Sequence, residues 1–238
     1  MAMQLLAMHG WAGDSRGWEP FAATARQQGW NWQAADRGYG PTPARPASWT
    51  AGQGRRVLIA HSLGPHLLPA GVLEQVEGLV LLASFGRFVP RGATGRALRT
   101  ALAGMADALG APQTPAAAGE AAPAEAMLRT FLARATAPQP LSQLPTTVVD
   151  QPLSRAGRQL LIDDLTLLGA TTQLPAALPA TCPCLIVEAG SDRIVVPETR
   201  ALLRQERPDA SVIHYPEAGH CLLGTPVVRD VMTWIAQL

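Results

Sequence analysis

Residues 57–60, Val-Leu-Ile-Ala, run without a polar break into His61-Ser62-Leu63-Gly64, and apart from His66 small or apolar residues continue to Val72. An apolar run with no alternation is the pattern of a strand covered on both faces. A serine directly beyond it, with glycine two residues later, predicts a strand, a sharp turn and a helix. The hydroxyl then stands at the carboxyl end of the strand and the positive end of the helix, with the Leu63 N–H free. A nucleophile needs that setting, but an N-cap serine occupies a similar one. Ser62 alone leaves both open.

The rest of the chain repeats the strand pattern. Met3–Met8 is a short apolar run leaving into His9-Gly10-Trp11-Ala12-Gly13, and residues 17–29 place Trp18, Phe21, Ala22 and Ala25 on one helical face, with Gly29 as a stop. Residues 31–35 and 78–83 are further strands, and a loop dense in turn formers begins at Asp36. After Ser84 the character changes. Residues 94–109, 124–135 and 154–168 read as helices, separated by Ala/Pro/Gly loops such as 111–123. Strand 184–188, helix 197–205, strand 211–215 and helix 225–238 close the chain. Strands alternating with helices predict an α/β fold with a mostly parallel sheet. The expected organisation is a core of residues 1–85 and 176–238 interrupted by a helical lid over 86–175.

Composition narrows the function classes. With 238 residues, 16% charged and a net charge of +1, the chain gives no electrostatic case for nucleic-acid or membrane binding. All 19 basic residues are arginine. Cys182, Cys184 and Cys221 are too few for a disulfide framework, and neither they nor the five histidines show metal-ligand spacing. The start of the chain has no basic region or cleavage signal, and the expectation is a cytoplasmic protein.

The literal G-x-S-x-G match is Gly13-Asp14-Ser15-Arg16-Gly17, not the stretch around Ser62. Roughly one S-x-G is expected by chance in such a composition, so context decides. Ser15 lies in an open loop; Ser62 adjoins a strand, and Ala60 is the smallest departure from the first glycine. Asp192 follows strand 184–188 and His220 follows strand 211–215. Ser, Asp and His in that order, each at a strand's carboxyl end, form the triad order of a hydrolase. Glu188 is the rival acid, but inside a strand it is placed to pair rather than to reach His220. Asp163 and Asp164 read as a solvated helix face.

With the triad in place, the chain resembles the α/β-hydrolase family along essentially its whole length. The resemblance implies an oxyanion hole built from the Leu63 N–H and a second N–H on the loop after the first strand. His9-Gly10-Trp11 matches the family's H-G-x loop, making Trp11 the candidate, though it also reads as a core aromatic. Ser62, Asp192 and His220 would then need no metal or organic cofactor. Only 18 residues separate Asp36 from Arg55, where many members carry a crossover helix.

Fold does not choose the substrate. His9–Gly13, Thr130-Phe131-Leu132-Ala133-Arg134 and the loop around Asp192 are similar to the pimeloyl-[acyl-carrier-protein] methyl ester esterases of biotin synthesis. That resemblance implies a small acyl ester substrate delivered on acyl carrier protein. Trp11, Phe131, Arg129, Arg134, Arg155 and Arg158 are the candidate substrate-binding residues, the arginines suited to phosphate or carboxylate. The same arginines also read as ordinary solvated helix faces. Two alternatives stay open, a general short-acyl esterase or thioesterase and a ligand-binding relative without turnover.

Overall fold

A computed structural model describes residues 2–114 and 121–238; part of the 111–123 loop therefore lies outside the described residues. The elements in chain order are β1 Met3–Met8, α1 Glu19–Gln27, β2 Asn31–Ala35, β3 Arg55–His61, α2 Ala70–Leu73 and β4 Gly78–Leu82. They continue with α3 Gly92–Gly110, α4 Pro123–Thr136, α5 Arg155–Ala170, β5 Cys184–Ala189, α6 Pro197–Glu206, β6 Ser211–Tyr215 and α7 Val227–Ala236. The six strands form one sheet in the order β2-β1-β3-β4-β5-β6, and every neighbouring pair is parallel.

The unbroken apolar runs have a direct cause. Along β3, Val57 and Ile59 face a layer with Phe21 and Ala25 of α1 and Val231 and Ile235 of α7. Leu58 and Ala60 face the opposite layer, with Val72 and Leu73 of α2 and Leu203 of α6. Alternate residues therefore bury on opposite faces, and no position is left for a polar side chain. Between β2 and β3 there is no helix. That stretch instead makes a bridge between Asp36 and Arg45, and Trp49 Nε1 donates to the Val72 carbonyl at 2.9 Å, laying the loop against the α2 side of the sheet.

The helix expected straight after Ser62 is not continuous. Gly64–Leu67 is a 3₁₀ turn, Leu68 is extended at ψ 142°, and α2 has only four residues. Pro69 is the reason. A proline disfavours the helical region for the residue before it and, in a continued helix, its ring would meet the carbonyl four positions back. No helix macrodipole of useful length stands behind Ser62.

Helices α3, α4 and α5 fall between β4 and β5 and bury Leu109, Leu128, Leu161 and Leu165 in an apolar cluster that also takes in Trp11, Leu63, Phe85 and Val195 from the loops at the sheet's carboxyl edge. Ser154 caps α5, its Oγ accepting from the Gly157 N–H at 2.9 Å. Among the described residues no helix is long and apolar enough to cross a membrane.

Candidate active site

Ser62 follows the last residue of β3 and sits in the left-handed region at φ 53°. Such a conformation costs a non-glycine residue on the order of 1–3 kcal/mol and persists only where the surroundings fix it. Two ladder-like contacts do so. The Ser62 N–H donates to the Leu82 carbonyl at 2.9 Å, and the Ser84 hydroxyl donates to the Ser62 carbonyl at 2.7 Å. Space is equally tight. A Cβ on Gly64 would lie 2.6 Å from the Met8 carbonyl oxygen, and one on Gly10 would lie 2.7 Å from Ser62 Cβ. Glycine at both positions lets the β1 loop and the serine turn touch.

Asp192 and His220 come from the loops after β5 and β6 and meet across 2.8 Å, Asp192 Oδ2 to His220 Nδ1. The other carboxylate oxygen accepts from the Ile194 and Val195 N–H groups at 2.7 and 2.9 Å. Burial pushes the Asp192 carboxyl up, but His220 and these two amides more than offset it, and it rests below the ordinary carboxylate value. An ionised Asp192 can only accept, so the proton of His220 sits on Nδ1, which donates to it, and Nε2 is left as the acceptor. All three of Ser62, Asp192 and His220 are buried. Among the described residues no hydrogen bond joins Ser62 Oγ to His220 Nε2.

His61 was not a candidate in the sequence, yet its Nε2 donates to the His220 carbonyl at 3.0 Å, and the two rings lie 4.8 Å apart. Burial first, and then the neighbouring His220, push its pKa down to about 3, so it is neutral and ties the end of β3 to the histidine loop. His9 Nδ1 donates to the Gly10 carbonyl at 2.8 Å while its Nε2 accepts from the Arg37 N–H at 3.1 Å, fixing the loop that carries Trp11. Neither the Trp11 nor the Leu63 backbone N–H donates to a protein acceptor among the described residues. Trp11 is also a core aromatic, with its indole N–H on the Leu161 carbonyl of α5 at 2.9 Å and its ring edge-on to Phe131 of α4 at 4.8 Å.

That aromatic pair lines two chambers. One, of about 440 Å³, contains Ser62 and is walled mainly by apolar side chains such as Leu102, Met105, Leu165 and Leu168, with Arg134 and Arg193 also on its lining. The other, of about 310 Å³, contains His220, His61 and His9 with Phe21, Leu132 and Leu222. A larger surface groove of about 600 Å³ between α1 and α7 contains none of these groups.

The remaining candidates are placed as follows. Ser15 begins a 3₁₀ turn, its N–H on Asp36 at 2.7 Å and its hydroxyl accepting from Arg45 at 3.4 Å. Glu188 faces Arg204 at 3.2 Å. Cys221 lies beside His220, but burial and then Asp192 push its thiol up to about 12, so it is no thiolate. Arg129 pairs with Glu125, Arg158 donates to the Leu153 carbonyl and Arg155 is exposed; none of the three lines either chamber. Of the four candidate substrate-binding arginines only Arg134 lines the Ser62 chamber; Arg155 and Arg158 begin α5, about two to four turns before Leu165 and Leu168, which wall it. Asp164 corrects a second expectation. It is buried rather than solvated, taking two bonds from Arg37 at 2.8 and 2.7 Å and one from the Tyr39 hydroxyl at 2.5 Å. Its neighbour Asp163 does face solvent, with Gln159.

Among solved structures the chain is similar to an esterase of Exiguobacterium antarcticum, at TM-score 0.69 and 16% identity over 99% of this chain and 91% of that one. A thermophilic esterase of Thermogutta terrifontis is similar at TM-score 0.67 and 17% identity, covering 100% and 90%. The thioesterase domain of a curacin biosynthetic pathway is similar at TM-score 0.57 and 15% identity, covering 100% and 92%. These likenesses are of fold. No curated protein sequence matches this one. The model of the Alpha/beta hydrolase family matches residues 5–229, nearly the whole length, and the chain belongs to that family.

Proposed function

We propose that this chain is a serine hydrolase of carboxylic esters, with Ser62 as nucleophile, His220 as general base and acid, and Asp192 as the group that orients His220. The observation that carries the reading is the Asp192–His220 hydrogen bond, oriented so that Nε2 is left to accept a proton, at the same sheet edge as a strained, buried serine. In the reaction Ser62 Oγ attacks the acyl carbon while His220 Nε2 takes its proton. The carbonyl oxygen, now an oxyanion, receives the Leu63 and Trp11 N–H groups, each such donor being worth roughly 10²–10³ in turnover. Collapse expels the alcohol, protonated by His220. Water, deprotonated by His220, then cleaves the acyl-enzyme and frees the acid. The mechanism requires Ser62 Oγ within hydrogen-bond reach of His220 Nε2 in the substrate complex, where catalytic hydrogen bonds commonly tighten.

The finer reading is the methyl ester of a pimeloyl chain on acyl carrier protein. The Trp11 and Thr130–Arg134 motifs support it, as does an apolar chamber beside Ser62 within the roughly 300–1,000 Å³ range of small-molecule sites. Hydrolysis of p-nitrophenyl acetate tests the chemistry: Ser62→Ala is expected to abolish it and Ser15→Ala to leave it nearly intact. A dead Ser15 variant with an active Ser62 variant overturns the assignment. Rescue of a biotin-requiring strain lacking its pimeloyl ester esterase tests the substrate. The unmade Ser62–His220 hydrogen bond also favours a second reading, a ligand-binding relative, which requires that no ester turnover appear at all.

A further inference from the structure

Ser62 and His220 line different chambers. The one of about 440 Å³ has Ser62 on its lining and not His220, and the one of about 310 Å³ has His220 and not Ser62. Trp11 and Phe131 are common to both linings, so the chambers meet beside the proposed oxyanion donor. An acyl chain that fills the first leaves the second free on the side of the general base. The wall of that second chamber is largely apolar, with Phe21, Leu132, Leu144 and Val228 on it. Its titratable groups offer nothing to a charged ligand. His61 is neutral, with a pKa pushed down to about 3, and burial and then Asp192 keep the proton on the Cys221 thiol. His9 has both ring nitrogens on backbone groups, and Asp14 accepts three bonds from Arg16. A space of about 310 Å³ equals the liquid volume of roughly ten waters. A hydrolytic water or a released methanol leaves most of it unfilled. A neutral alcohol of several carbons fits there and gains by burying its methylenes.

We propose that the second chamber is an acceptor site for a neutral, apolar primary alcohol, and that the chain transfers acyl groups to this alcohol as well as to water. The inference rests on the proposed acyl-enzyme at Ser62. In the transfer the alcohol oxygen bonds to the acyl carbon while His220 Nε2 takes its proton. The oxyanion then collapses, the bond from the acyl carbon to Ser62 Oγ breaks, and His220 returns the proton to Oγ. One acyl-enzyme and one alcohol give one ester and the free enzyme, with no further reagent. Water and alcohol compete for the same intermediate, so the chamber sets the partition between acid and ester.

The test uses p-nitrophenyl hexanoate as donor, whose acyl chain occupies the first chamber, with methanol, 1-butanol and 1-hexanol as acceptors at equal concentration. p-Nitrophenol reads total turnover, and chromatography of hexanoic acid and alkyl hexanoate reads the partition. In the native protein the ester-to-acid ratio is expected to rise about two- to fourfold per added methylene. Val228→Phe on α7 and Leu144→Phe in the loop after α4 each fill the second chamber. Both are expected to flatten that rise and to lower the 1-hexanol ratio about fivefold or more. A ratio that does not grow with chain length, or that neither substitution changes, overturns the acceptor site. The length series needs only the native protein, so it decides even where a filled variant does not fold. p-Nitrophenol with hexanoic acid as the sole acyl product overturns transfer and leaves hydrolysis standing. If no p-nitrophenol appears, or its appearance survives Ser62→Ala, the proposed function falls and the transfer with it.

Discussion

Trp11 and Leu161 are joined by an indole-to-carbonyl hydrogen bond of 2.9 Å, which fastens the loop after β1 to the middle of α5. The residue proposed to give one oxyanion amide is thus held from outside the sheet. Trp11→Phe keeps a ring against Phe131 but loses this bond and part of the buried indole's volume. Its kcat on an unactivated ester is expected to fall about five- to tenfold with KM little changed, the loss of a net hydrogen bond of about 1 kcal/mol felt in the transition state. An equal rise in KM with kcat intact would mean that the tether serves binding alone.

His61 predicts an acid-sensitive fold. Its folded pKa of about 3 lies below the ordinary 6.5, so between these values the unfolded chain holds a proton that the folded chain refuses. Stability is complete above pH 6.5 and declines as pH falls towards 3. Asp192 adds to the same slope lower down, because its depressed carboxyl stabilises above the ordinary 3.8 and less below it. Urea unfolding at pH 7, 5 and 4 is expected to show a shallower decline for His61→Gln than for the native chain.

Asp164 joins α5 to the loop after β2 through Arg37 and Tyr39. Asp164→Asn leaves Arg37 without its counter-charge. Because that side chain is 31% exposed, the cost is nearer about 1–3 kcal/mol than that of a fully buried pair. A melting-temperature drop of roughly 3–10 °C is the expected measurement. Since Leu165 and Leu168 of the same helix wall the Ser62 chamber, KM should rise as well.

Phe131 borders both chambers and packs edge-on against Trp11. Phe131→Ala opens one chamber to the other. The preference for a linear over a branched acyl ester is expected to fall several-fold, within the roughly 10–200-fold that apolar pocket shape controls. A chain-shape series of p-nitrophenyl esters reads this directly.

The strands were legible because burial on both faces left Val57–Ala60, Gly78–Leu82 and Cys184–Val187 as unbroken apolar runs. Asp192 was legible because it follows such a strand within a few residues, and His220 because it follows the short β6, whose Val212-Ile213 pair marks a strand although that edge strand is mostly exposed. What stayed hidden depends on distant partners. Nothing local to Asp164 announces Arg37 and Tyr39 over 120 residues earlier, although its spacing from Leu161, Leu165 and Leu168 does put it on the buried face of α5. The broken helix after Ser62 was written in Pro69, whose effect on Leu68 outweighs the helical composition around it. Arg193 stood beside Asp192 in the sequence; only the packing of α4 against that loop brings Arg134 to it.

Among the described residues four non-glycine residues hold positive φ: Ala12, Ser62, Ala83 and Leu222. Each belongs to a turn beyond a strand's carboxyl end, in the loops that also carry Trp11, Ser84 and His220. For protein engineering these positions are a reserve. Ala12→Gly and Ala83→Gly remove the steric penalty at the cost of a floppier unfolded chain, and a chain hardened there would trade rigidity of the reacting centre for heat resistance. Thermostable variants are better sought in α1, α6 and α7, where added stability leaves the strained edge as it is.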